Sequence, residues 1–163
     1  RTLATWRREP NVERFFVAGI LHDIGQLMMA TTIPPVVMEL MQQSRSTKLP
    51  YHLTEAERLG FDHADAGGAL LQSWKIPANI AEPVEHHHHP SRAAQFPLEA
   101  ATIHLSDLIC QAMDYGQTGE WCLPPLDTAA WERLGMSPHQ LGTIIKQAEP
   151  QLEETFSILT EGV

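Results

Sequence analysis

Phe15-Phe16-Val17-Ala18-Gly19-Ile20-Leu21-His22-Asp23-Ile24-Gly25 is the stretch that decides the fold. It lies inside an apolar run from Val12 to Ala30. Placed on a helix at about 100° per residue, Phe16, Val17, Ala18, Ile20, Leu21, Ile24, Leu27, Met28 and Met29 cover the whole circumference. A helix that is apolar all round is a buried one. Yet His22, Asp23 and Gln26 fall together in one arc of about 100°. An ionised aspartate in such surroundings is costly unless it is paired or bound to a metal. The central helix therefore carries a polar notch that needs a partner, at the least a His–Asp hydrogen-bonded pair.

Outward from this segment the chain reads as helical nearly throughout. Pro34-Pro35 stops the first long helix. Thr54-Glu55-Ala56-Glu57 has the form of a capping box, with Thr54 as N-cap of a short helix ending at Gly60. Asp62 caps the next, which runs to about Trp74, and Lys75-Ile76-Pro77 breaks it. A short helix fits Ala78 to His87, and a long one fits Pro97 to Tyr115, closed by Gly116. Ser137-Pro138 opens a last helix from His139 towards Leu159, with Pro150 as a kink point. The segment Tyr115 to Leu126, with two glycines and two prolines, is the best loop. No alternating strand pattern, repeat or low-complexity linker appears, and the expectation is one all-α bundle over residues 1–163.

Composition agrees. The 163 residues are near the common size of one domain, and 43% are hydrophobic, enough for a sizeable core. Eleven basic residues against 20 acidic ones give a formal charge of −9, which excludes a basic nucleic-acid footprint and docking on anionic lipid. A phosphate-bearing small ligand stays compatible if something positive neutralises it locally. The longest apolar stretch, Phe15 to Leu21, is far short of the roughly 20 residues that span a bilayer. Cys110 and Cys122 make no disulfide scaffold and lack CxxC spacing, so a reduced, cytoplasmic setting is expected. Beginning at Arg1, the chain reads as a fragment that lacks upstream helices. Nine histidines are the oddity, and function is to be sought there.

His63 falls in the first turn of its helix, with Gly67 and Gly68 one turn on, where missing side chains let another element come close. Asp107 shares a narrow polar sector with His104, Gln111 and Asp114. His86-His87-His88-His89 is internal and leads into Pro90, unlike a terminal tag. Consecutive histidines on a helix diverge by about 100°, so four cannot bind one ion, but two neighbours can flank a metal pair. Histidine and carboxylate together suit Mn, Fe, Ni or Zn. Bundles build such centres from one polar notch on each of several helices.

These residues resemble a known family. Phe15 to Gly25 is similar to the "aGLLHDIG" core of the HD superfamily, and Gly60 to Gly67 resembles its GxxHxxxG stretch. Leu70 to Pro77 resembles "LLxxWxLP", Val84 to Pro90 resembles "IxxHHxP", and Ile103 to Asp107 resembles "vhxAD". A further likeness, "LxxLGxS", covers Trp131 to Ser137. Together they resemble the HDOD domain, the HD-related output domain of bacterial signalling proteins and a relative of HD-GYP phosphodiesterases. The resemblance implies a helical HD-type bundle and one or two divalent ions. His22, Asp23, His63, His87, His88 and Asp107 would be the ligands, with Asp23 as the bridge. Asp107 would join His22 at one ion, and His63, His87 and His88 would surround the other.

Three departures bear on catalysis. Gln26 stands where HD phosphohydrolases carry the lysine of HDxGK, and no histidine precedes His22 to supply a further ligand. The HHExxxGxGYP stretch of cyclic-di-GMP phosphodiesterases is absent: His89-Pro90-Ser91 follows instead. The expectation is a non-catalytic signalling module, fused to or partnered with a sensor, receiver or cyclase-type domain, whose metal is structural. The alternative is a metal-dependent phosphohydrolase acting on a nucleotide or phosphodiester. There Asp23 would bridge, and Gln26 or His104 would orient water or substrate.

Overall fold

The computed structural model describes residues 1–115 and 122–160, and among them every regular element is helical. The order is α1 (Thr2–Trp6), α2 (Val12–Leu21), α3 (Ile24–Thr32), α4 (Pro34–Thr47), α5 (Tyr51–Leu59), α6 (His63–Ser73) and α7 (Ala78–Glu85). A 3-10 turn at Pro90–Arg92 follows, then α8 (Pro97–Ala112), α9 (Thr128–Leu134) and α10 (Pro138–Thr160). The all-α bundle expected from the sequence is the fold observed. No single helix among the described residues is long and apolar enough to cross a membrane.

The run expected as one helix from Val12 to Ala30 is broken at its polar notch. His22 ends α2, and Asp23 takes φ −98°, ψ 14°, between helical and extended values, before α3 begins. Pro34-Pro35 both stops α3 and starts α4, because proline suits the first turn of a helix. The Thr54–Glu57 capping box does not form. Pro50 is the N-cap of α5, which begins at Tyr51, three residues before Thr54, whose hydroxyl instead donates back to the Pro50 carbonyl at 3.4 Å. The Asp62 cap is as expected and is reciprocal: Asp62 accepts from the Asp65 N–H at 2.9 Å and Asp65 from the Asp62 N–H at 3.1 Å. Helix α7 stops at Glu85, two residues short of His87, and α8 stops at Ala112 rather than Tyr115. Gly116 and the middle of the expected loop lie outside the described residues. Three helices were not anticipated from the sequence: α1, α4 and α9. Pro150 lies inside α10.

Three apolar clusters hold the elements together. Ala18, Leu71, Ala81, Val84 and Ile103 join α2, α6, α7 and α8. Met29, Val37 and Ala66 join α3, α4 and α6. Leu3, Ala101, Leu105, Ala130, Leu134, Met136 and Ile144 join α1, α8, α9 and α10. Helices α3 and α6 meet backbone to backbone. A Cβ on Gly25 would lie 2.0 Å from the His63 carbonyl oxygen and 2.6 Å from the Gly67 nitrogen. That crossing brings the start of α3, with Asp23, against the start of α6, with His63.

Candidate metal centre

Because the backbone bends between α2 and α3, the neighbours His22 and Asp23 lie side by side instead of diverging as on a regular helix. His22 Nε2 is 3.3 Å from Asp23 Oδ2 and 3.6 Å from Asp107 Oδ1 of α8. The other oxygen of Asp23 faces a second set of rings, with His63 Nε2 at 3.4 Å and His87 Nε2 at 3.8 Å. His88 Nε2 is 2.9 Å from His63 Nε2. His87 and His88 stand beyond the end of α7, so both rings turn to one centre, their centroids 3.9 Å apart. All six residues singled out in the sequence as metal ligands are thus brought into one connected cluster. Gln26 is half-buried on α3, one turn after His22.

Three rings of the cluster have their inner nitrogen fixed by an oxygen. Nδ1 of His22 bonds the Gly19 carbonyl at 2.8 Å, Nδ1 of His87 bonds the Val84 carbonyl at 2.7 Å, and Nδ1 of His63 bonds Glu55 Oε2 at 2.5 Å. In the neutral ring, with Nδ1 donating, Nε2 is left with its lone pair. His87 is fully buried and its Nε2 has no hydrogen-bond partner, so an acceptor stands orphaned beside the Asp23 carboxylate. Buried polar atoms are rarely left that way. His63, His87 and His88 each offer a ligand atom, all within 4.8 Å of one another, which fits a divalent ion of the kind imidazole favours. The donor set therefore fits the metal that the sequence implied on this side of Asp23. On the other side His22 and Asp107 have no further histidine from an earlier helix.

The cluster is also electrostatically coupled. Burial pushes His22 down, but the contact with Asp107 and the charge of Asp23 overcome it and raise the ring to about 9. Burial opposes ionisation of Asp23, yet the bond from His63 and the nearby His22 hold this carboxyl well below its usual range. Burial likewise disfavours charge on His63, and its two carboxylate partners, Asp23 and Glu55, hold it well above the usual value. His87 goes the other way, down to about 3, through burial and then the charges of His22 and His63. His88 is lowered for the same reasons, burial first and then its imidazole neighbours.

Two participants escaped the sequence reading. Glu55 is completely buried, and its Oε2 accepts from the His63 N–H at 3.0 Å as well as bonding the ring. The capping-box reading makes it only the first residue after a Thr54 cap. With α5 begun at Pro50, Glu55 falls one turn after Tyr51 on the inner face, which was the available signal. His52 is buried too, stacked on His88 with centroids 4.0 Å apart, and burial followed by the charge of His63 pushes it to about 4. His104, in the polar sector of α8, does not face solvent. It is buried, its Nδ1 bonds the His87 carbonyl at 2.8 Å, and its Nε2 accepts from the Asp127 N–H at 3.1 Å.

A helical domain with a histidine–aspartate cluster at the junction of five helices is what the fold and site define. Residues 1–90, more than half of the chain, match the HDOD domain, and the chain belongs to that family. The matched span takes in His22, Asp23, His63, His87 and His88, while Asp107 and the Trp131–Ser137 likeness lie beyond it. An uncharacterized protein of Treponema pallidum (strain Nichols) is 22% identical over 104 residues, 63% of this chain and 20% of that protein. The aligned part is thus about a fifth of that relative's length. No solved structure matches the chain.

Proposed function

We propose that this HDOD domain is a bacterial, cytoplasmic signalling module that holds one or two divalent ions and does not turn over substrate. The observation that carries the metal reading is the buried, partnerless Nε2 of His87, aimed at the same centre as the fixed rings of His63 and His22. His63, His87 and His88 with Asp23 would hold one ion, and His22 with Asp23 and Asp107 the weaker second. Bound there, an ion would tie α2, α3, α6, α8 and the segment after α7 together, adding its binding free energy to stability. The identity of the ion is left among Mn, Fe, Ni and Zn by the mixed imidazole and carboxylate set.

Two observations favour a module without turnover. Gln26 replaces the expected lysine. The cavity of about 410 Å³ beside His88 and Asp107 has no lysine or arginine among its described lining residues. A phosphate-containing small ligand on that side would have to be held through the ion. The output would pass to a sensor, receiver or cyclase-type domain, fused or separate, and the acidic composition suits a protein partner better than a nucleic acid.

The second reading, a metal-dependent phosphohydrolase, has one specific feature in its favour: the two Asp23 oxygens face different imidazoles, as a bridging carboxylate does. The deciding experiment measures metal in protein purified without chelator or nickel resin, then assays cyclic dinucleotides and nucleotides. One or two equivalents of metal without hydrolysis is the expected result. Folded protein without metal removes the metal reading, and turnover lost in Asp23→Ala establishes the enzyme instead.

A further inference from the structure

His87 and His88 stand on a stretch between α7 and α8 whose one regular element is the Pro90–Arg92 turn. A carboxylate outside the histidine cluster fixes the far end of this stretch. Glu82, in α7, accepts from the Ala94 N–H at 2.9 Å, from the Gln95 N–H with both oxygens at 3.1 Å, and from the Phe96 N–H at 2.5 Å. Phe96 is the N-cap of α8, and Ala94 and Gln95 are the two residues that lead into it, so the carboxylate sits at a helix start, where negative charge is favoured. The carboxylate thereby ties α7 to the beginning of α8 and closes residues 86–96 into a loop with both ends held. Inside it, the His89 N–H bonds the His86 carbonyl at 3.0 Å and the Arg92 N–H bonds the His89 carbonyl at 2.9 Å. His104 then holds the His87 carbonyl from α8.

We infer that Glu82 is a positioning residue for the imidazole cluster: its clamp on residues 94–96 sets where His87 and His88 stand relative to His63. The inference rests on reading the cluster as a metal centre, but its geometric content can be measured without metal. Glu82 acts at a distance, through the backbone of the loop. A glutamine keeps one acceptor oxygen and loses the charge, so it retains part of the clamp, whereas alanine removes it.

The test compares Glu82→Ala and Glu82→Gln with the unmodified chain and with Ile144→Val. The last is a core change in the cluster of α1, α8, α9 and α10 that lowers stability without touching the loop. Zn²⁺ affinity is read by chelator competition. In metal-free protein, the reaction of His87 and His88 with diethyl pyrocarbonate is mapped by mass spectrometry. Glu82→Ala is expected to weaken Zn²⁺ binding about 10-fold or more and to speed modification of His87. Glu82→Gln should fall between, and Ile144→Val should match the unmodified chain in both. If the unmodified chain takes up no Zn²⁺, the metal reading fails and histidine reactivity alone decides the clamp. Unchanged His87 reactivity in folded Glu82→Ala overturns it; if that variant does not fold, unchanged reactivity in Glu82→Gln does so.

Discussion

Glu55 and His63 are joined twice by one oxygen, which takes the ring Nδ1 at 2.5 Å and the backbone N–H at 3.0 Å, with neither side chain open to solvent. A carboxylate behind a histidine fixes its tautomer and makes the far nitrogen a better ligand. Glu55→Ala leaves a buried donor unpaired and is expected to cost roughly 1–3 kcal/mol of stability. It should also weaken metal binding about 10- to 100-fold. Glu55→Gln, which still accepts a hydrogen bond, should lose less of both. Thermal denaturation and chelator competition read the two effects separately.

The contact between α3 and α6 gives a sharper stability test. A Cβ at Gly25 would meet the His63 carbonyl and the Gly67 nitrogen, both backbone, so Gly25→Ala must push the helices apart. Overpacking of this kind costs on the order of 3 kcal/mol or more when backbone has to move. Gly142 in α10 has nothing within 4 Å of its Cβ position. Gly142→Ala should stabilise the chain by roughly 0.5–1 kcal/mol. Urea denaturation of the pair should therefore shift the midpoint in opposite directions.

Metal-free stability should peak near neutral pH. His22 is raised to about 9 in the folded chain, so its contribution is complete below the ordinary histidine range and is lost as pH rises through about 9. His63, raised by its carboxylate partners against burial, acts in the same direction. His87 is lowered to about 3, so the unfolded chain binds its proton first and stability falls as pH drops below about 6.5. Each one-proton difference has a limiting slope of about 1.4 kcal/mol per pH unit. Melting temperatures between pH 4 and pH 10 should trace this maximum, and His22→Asn should flatten its alkaline side.

Adding Zn²⁺ or Mn²⁺ at about 100 times the dissociation constant should stabilise the fold by about 2.7 kcal/mol per site, and a chelator should reverse it. His87→Ala should abolish most of that shift. His139, exposed on α10, serves as the control, and His139→Ala should leave the shift intact.

Much of this was legible in the sequence, for identifiable reasons. The notch of His22 and Asp23 showed because ionisable groups stand out on an otherwise apolar helix, and the Asp62 cap because its chemistry is local. What stayed hidden depends on contacts remote in sequence. The break at Asp23 leaves no mark in an apolar pattern that continues on both sides. Glu55 reads as the first residue after a Thr54 cap until Pro50 fixes the start of α5. The inner role of His104 depends on the His87 carbonyl, 17 residues away.

The crossing at Gly25 and Gly67 has one more consequence. Main chain rests on main chain there, so the span from Asp23 to His63 is gauged by peptide units and not by the girth of neighbouring side chains. Exchanges of leucine, isoleucine or valine in the surrounding clusters would alter volume yet leave that span nearly untouched. The ruler of the centre is thereby insulated from drift in the hydrophobic interior around it.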